Sequence, residues 1–164
     1  MEKIIKPIKI NRSNFSDYGD LISASDINPI DINAGYAKRF DNLANLNTSK
    51  DGGKAIVSIF SALKRKFPMK IDMMEKHPLG SQAFIPMKET TFLVFVAPKE
   101  EKLDLNKIEA FIVPPGIGVN YNPGTWHFPL ISTEDMNFLV VDRKGSGDNL
   151  VIENLDKENI TLKY

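Results

Sequence analysis

The chain has 164 residues, no cysteine, and 21 basic against 21 acidic side chains. That length suits a single domain over residues 1–164, able to bury roughly 70% of the surface its unfolded form exposes. The missing cysteine excludes disulfides, thiolate nucleophiles and zinc–thiolate sites, and the balanced charge excludes the net field that draws a protein to nucleic acid or an anionic membrane.

Residues 1–10, MEKIIKPIKI, alternate charged and apolar side chains and read as a strand, without the continuous apolar run of a signal peptide. No later window approaches the roughly 20 apolar residues of a membrane span, so a cytoplasmic protein with no membrane partner is expected. Ser13 is placed as the cap of a short helix running through Ser16–Ile22, which Gly19 weakens. Most of the remaining chain reads as sheet. Strands are predicted over Ala55–Phe60, Lys70–Glu75, Gln82–Met87, Thr91–Ala97, Ile108–Val113, Gly118–Tyr121, Asn137–Asp142 and Asn149–Glu153, many rich in Val, Ile, Phe and Thr. Gly/Pro turns separate them, as at Asp51-Gly52-Gly53, Pro78-Leu79-Gly80, Pro114-Pro115-Gly116 and Asn122-Pro123-Gly124. Short strands without intervening long helices argue for an antiparallel sandwich or barrel and against a βαβ fold. Thr91–Ala97 is apolar at nearly every position, which predicts a central strand covered on both faces. At Asp142-Arg143 an apolar run ends in adjacent opposite charges that point to opposite strand faces, read as a surface ion pair, with one of them facing the interior near the site as the alternative.

The chain has only two histidines, and each lies beside a Gly/Pro turn: Glu75-Lys76-His77-Pro78-Leu79-Gly80-Ser81-Gln82, and Gly124-Thr125-Trp126-His127-Phe128-Pro129. Glu75 and His77 are two apart and so share a sheet face. A Pro78-Leu79-Gly80 turn between paired strands would return Gln82 beside them, joining a carboxylate, an imidazole and an amide. Gly124 frees the chain for a tight bend, and His127 three residues later supplies a second imidazole to the same cavity.

This pattern resembles the cupin superfamily, whose two short motifs deliver side chains from neighbouring strands into a small barrel. The second motif's Gly-x-x-His is kept as Gly124-Thr125-Trp126-His127, whereas the usual His-x-His with a following Glu is here Glu75-x-His77 with Gln82. A narrower resemblance covers the runs Ile32–Phe40, Glu75–Pro86, Gly118–Tyr121, Gly124–Leu130 and Phe138–Gly145, in order. All look like the ureidoglycolate lyase family. That resemblance implies an all-β, cupin-like jelly-roll β-barrel with a few short helices. It also implies a homodimer that splits ureidoglycolate into glyoxylate and urea during allantoin breakdown, a step of purine catabolism.

The residue types suit that chemistry. Loss of a carbinol proton and protonation of departing urea need one base and one acid, and histidine, with a reference pKa of about 6.5, is suited to both roles near neutral pH. His77, His127 and Glu75 are therefore the catalytic candidates. Arg39, with its planar fork, is the candidate for the substrate carboxylate. Ser81, Gln82 and Asn120 offer neutral groups for the urea amides, and Tyr121 offers a hydroxyl. Trp126 is a further substrate-binding candidate whose competing role, with Phe84, is to pack the barrel wall. The basic run Lys64-Arg65-Lys66 reads as a solvated strand end. Glu75, His77 and His127 also match a two-histidine, one-carboxylate ligand set for a divalent metal, nickel among those the resemblance implies. Two other classes stay open at this level: an amidohydrolase that releases ammonia from the same substrate, and a non-catalytic cupin that binds a small hydroxy acid.

Overall fold

A computed structural model describes residues 2–164. It is built almost entirely of strands, with one four-residue α-helix and three short 3-10 turns among the described residues. The larger sheet has seven strands, in the order Val151–Asn154, Met73–Lys76, Trp126–His127, Phe92–Ala97, Glu109–Val113 and Ile8–Lys9, with Ile131–Ser132 also paired to Phe92–Ala97. The second has five, in the order Gly19–Ile22, Gly118–Tyr121, Gln82–Pro86, Met136–Lys144 and Lys54–Ala62. A three-stranded sheet joins Lys3–Ile5, Ile160–Leu162 and Met69–Ile71, and a hairpin of Ile30–Ile32 with Ala37–Arg39 pairs only with itself.

Alternation along Phe92–Ala97 builds two cores from one strand. Phe92, Val94 and Val96 pack with Phe84, Val119, Phe138 and Val140 of the five-stranded sheet. Leu93, Phe95 and Ala97 point the other way, into a cluster with Ile71, Met74, Ile160 and Leu162. All six positions are buried, as the unbroken apolar run predicts.

Several elements depart from the sequence reading, each for a physical reason. The N-terminal strand breaks at Pro7, which has no N–H to donate to a ladder, leaving Lys3–Ile5 and Ile8–Lys9 in different sheets. The helix lies earlier than expected, over Arg12–Phe15, because Asn11 and Asn14 form a reciprocal capping box around its first turn. Gly19–Ile22 is not helix but an edge strand on Gly118–Tyr121. The two backbones approach so closely there that a Cβ on residue 19 would sit 1.8 Å from the Asn120 carbonyl oxygen. The Lys70–Glu75 strand divides at Asp72, its halves pairing in different sheets. The Pro78-Leu79-Gly80 turn likewise joins two sheets instead of closing a hairpin, since Met73–Lys76 and Gln82–Pro86 have no register with each other. Arg143 is not a surface charge: it is 7% exposed, and its guanidinium donates to the carbonyls of Lys50 and Ser146. These carbonyls replace water as acceptors and make the burial of the cation tolerable.

Candidate active site

The two sheets face each other across a cavity of about 580 Å³. Its wall takes Glu75 and His127 from the seven-stranded sheet and Gln82, Phe84, Tyr121 and Phe60 from the five-stranded one. A smaller polar cavity of about 290 Å³ is lined by His77, Ser81, Gln82, Asp142, Arg143 and Asn149, so Gln82 borders both.

Backbone hydrogen bonding brings the two histidine segments together. Gly124 adopts φ +83°, a left-handed conformation that favours glycine, and its N–H donates to the His77 carbonyl at 2.9 Å. Three residues on, His127 stands opposite Glu75 in the register between Trp126–His127 and Met73–Lys76. The imidazoles end 5.2 Å apart, centroid to centroid, and the Tyr121 ring stacks on His127 at 4.5 Å.

Each imidazole is oriented by a backbone carbonyl. His77 Nδ1 lies 2.7 Å from the Asn149 oxygen and His127 Nδ1 lies 3.0 Å from the Thr125 oxygen. A carbonyl only accepts, so both Nδ1 atoms carry the hydrogen and, in the neutral rings, both Nε2 atoms present lone pairs. Those lone pairs converge on one carboxylate: Glu75 Oε1 is 3.9 Å from His77 Nε2 and 3.6 Å from His127 Nε2. Both Nε2 atoms are buried and have no hydrogen-bond partner. Buried polar atoms are ordinarily paired, so two such atoms aimed at a carboxylate mark a place built to bind something.

The electrostatics keep His77 a neutral imidazole and Glu75 a carboxylate near neutral pH. Burial, and then the charge of His127, push the His77 imidazole below its ordinary value; the Asn149 carbonyl and Glu75 oppose this without reversing it. Burial on its own would raise the Glu75 carboxyl, but the proximity and charge of His127, aided by His77, hold it below the usual carboxylate range. Burial pushes the Tyr121 hydroxyl up, with the Glu75 charge adding to it, so Tyr121 stays a protonated donor at neutral pH. Glu75, His77 and His127 offer ligand atoms that lie within 4.8 Å of one another, and two imidazole lone pairs with one carboxylate form a donor set suited to a divalent transition metal. The orphaned Nε2 atoms are the observation that makes the residues fit such an ion.

The remaining sequence candidates divide. Gln82 and Tyr121 line the large cavity, and Ser81 lines the smaller one, its hydroxyl accepting from the Asn47 N–H at 2.8 Å. Asn120 is fully buried but serves the scaffold, donating to Asp20 and to the Asn45 carbonyl. Trp126 alternates with His127 and so faces the other core, where its indole N–H donates to the Glu100 carbonyl at 3.1 Å. Arg39 lies on the self-paired hairpin with an exposed guanidinium bonded to Asp41, and it borders neither cavity. Sequence reasoning instead set aside Lys64 and Arg65, which together with Leu63 and Leu130 line the large cavity. A strand that continues past Phe60 was the missing signal: Lys54–Ala62 keeps its β-pairing through Ala62, which carries the following basic residues to the rim.

An all-β scaffold in which adjacent strands deliver Glu75 and His127 to a cavity, with His77 just past the strand end converging on the same carboxylate, defines a cupin-like enzyme. The family profile for ureidoglycolate lyase matches residues 2–162, nearly the whole of the described chain. A protein from Burkholderia mallei named ureidoglycolate lyase is 42% identical over 147 residues, covering 89% of this chain and 86% of its own length. One of the same name from Pseudomonas aeruginosa is 41% identical over 148 residues, 90% of this chain and 88% of its own. A third, from Pseudomonas syringae pv. tomato, is 41% identical over 141 residues, 85% and 83% respectively. The chain belongs to the ureidoglycolate lyase family.

Proposed function

We propose that the chain, as one cupin-like domain, cleaves ureidoglycolate to glyoxylate and urea as a carbon–nitrogen lyase of allantoin breakdown. The observation that carries the reading is the convergence of two buried, unpaired imidazole atoms, His77 Nε2 and His127 Nε2, on Glu75 Oε1, with Glu75 and His127 lining the large cavity and His77 the smaller one, in a member of this family.

The reaction needs no water. The carbinol O–H gives up its proton, the oxygen's electrons form the aldehyde C=O, the C–N bond breaks, and its electron pair leaves on the urea nitrogen, which takes up a proton. A proton leaves oxygen and one arrives at nitrogen, so a single shuttle completes the cycle. The trio suits that role, since a neutral imidazole Nε2 takes the proton and the Glu75 carboxylate stabilises the imidazolium until the proton is returned. Gln82, which borders both cavities, would hydrogen-bond the urea amide, while Phe84 and Tyr121 would exclude water from the reacting carbon. Glu75, His77 and His127 would also hold a divalent cation, nickel or another, which when bound supplies Lewis-acid polarisation of a substrate oxygen.

The same reading takes the protein to be a cytoplasmic homodimer. Exposed Val57, Ile59 and Leu63, and Tyr36 at the tip of the self-paired hairpin, support an interface with a second copy. No helix of the described residues is long and apolar enough to cross a membrane.

Substitution of both histidines tests the site. His77→Ala with His127→Ala should abolish glyoxylate release in a folded protein, and retained turnover would remove them from the mechanism. Chelation followed by metal restoration separates the two roles of the trio. Loss and recovery of activity identify ligands, whereas insensitivity with a metal-free assay of the protein identifies acid–base groups alone.

A further inference from the structure

The substrate is an anion, yet the only carboxylate among the described residues lining the large cavity, Glu75, repels it. A cation must therefore receive the substrate carboxylate away from Glu75, and Arg39 is not in the cavity. We propose that Arg65 is that cation, a substrate-binding residue that fixes which end of ureidoglycolate faces the histidines. The proposal rests on the lyase reading of the cavity.

The neighbouring charges single out Arg65. Two basic residues line this cavity, Lys64 and Arg65. Lys64 also borders a depression shared with Lys66, Lys88, Glu134 and Asp135, where its backbone N–H donates to Asp135 Oδ1 at 2.7 Å; the Glu134 carboxyl there is held down by its hydrogen bonds to Lys88 and Thr90 and the charge of Lys88, with the Lys64 charge adding last. Neither side chain belongs to an ion pair among the described residues, but Lys64 faces the acidic groups of that depression outside the cavity and Arg65 is not among the residues that line it. Its position is nonetheless set from both ends. The backbone N–H donates to the Ser132 carbonyl at 2.9 Å, and the guanidinium stands 5.8 Å from the centroid of the Phe128 ring, one residue beyond His127. A planar, permanently charged fork with free donors, lining a cavity with a carboxylate and an imidazole at its wall, matches an α-hydroxy acid. Its carboxylate would seat on Arg65, leaving the carbinol carbon and ureido group for the trio and Gln82.

Arg65→Ala should raise KM for ureidoglycolate by about 10- to 100-fold, the range for losing charge-assisted hydrogen bonds, with a smaller change in kcat and an unchanged melting temperature. Arg65→Lys should recover part of the loss. Product inhibition supplies a readout that a merely structural role would not move. Inhibition by glyoxylate, which keeps the carboxylate, should weaken in parallel with KM, while inhibition by urea should not. Equal weakening of both products, an unchanged KM, or a KM rise in Arg39→Ala instead would overturn the assignment. Absence of turnover by the wild-type chain would instead remove the lyase reading; calorimetric binding of glyoxylate to wild type and to Arg65→Ala then decides the role of Arg65 on its own, equal affinities overturning it.

Discussion

Replacing Glu75 by glutamine keeps the volume and removes only the charge between the two imidazoles. Glu75 Oε1 lies 3.6 Å from His127 Nε2 and 3.9 Å from His77 Nε2. At an effective dielectric of about 20, a unit charge at such a distance interacts with a protonated imidazole by roughly 4 kcal/mol. That energy matters only while an imidazole carries the transferred proton, so it lowers the barrier more than it stabilises the resting enzyme. At 1.36 kcal/mol per decade it corresponds to a kcat lower by about 10²- to 10³-fold, within the usual span for a positioned acid or base. Stability should barely move, because glutamine keeps the volume of the site and the attraction it removes acts only on a protonated imidazole. A net change of about 1 kcal/mol would shift the melting temperature by roughly 2–4 °C in a chain of this size. Continuous detection of glyoxylate, with a melting curve on the same sample, reads both quantities. A folded Glu75→Gln variant with kcat within tenfold of wild type would refute the electrostatic role, and a large fall in melting temperature would make Glu75 a structural residue.

Two further outcomes follow from the geometry. His77 has a folded pKa below its unfolded value, so protonating it favours the unfolded chain. The penalty begins as pH falls below about 6.5 and grows until the lower folded pKa is passed, while the Glu75 contribution is lost only as pH falls through its own depressed value. Melting temperature and kcat/KM should therefore both decline on the acid side, and a His77→Gln variant should show a flatter stability profile; an identical profile would contradict the assignment. Gly19→Ala should cost about 3 kcal/mol, because its Cβ would meet the Asn120 oxygen at 1.8 Å and push the edge strand away. Thermal denaturation should show a drop of roughly 6–12 °C, and an unchanged midpoint would mean that the strand is not held there.

Local chemistry explains which of these features could be seen in the chain itself. The doubly buried strand Phe92–Ala97 and the strand Gly118–Tyr121 were legible because their composition and flanking turns depend on few distant partners. His77 and His127 were legible for the same reason: a glycine three residues before one and a Glu-x-His step before the other limit where the side chains can point. Gly19–Ile22 was misread because intrinsic propensity is weak there and pairing with a strand about 100 residues away decides its conformation. The cations were misread for a related reason. Arg39 and Arg65 are equivalent as residues, and only long-range pairing determines that one strand ends at the cavity rim while the other belongs to a separate hairpin. Arg143 shows the converse, a charge that looks solvated until the surrounding turns fold around it and supply carbonyl acceptors.

Product stoichiometry from ureidoglycolate with the purified protein tests the central claim most directly, following glyoxylate, urea and ammonia separately. One urea for each glyoxylate, with no ammonia, is the expected result, since the elimination consumes no water and leaves the amide intact. Ammonia in place of urea would contradict it and assign the cavity to amide hydrolysis.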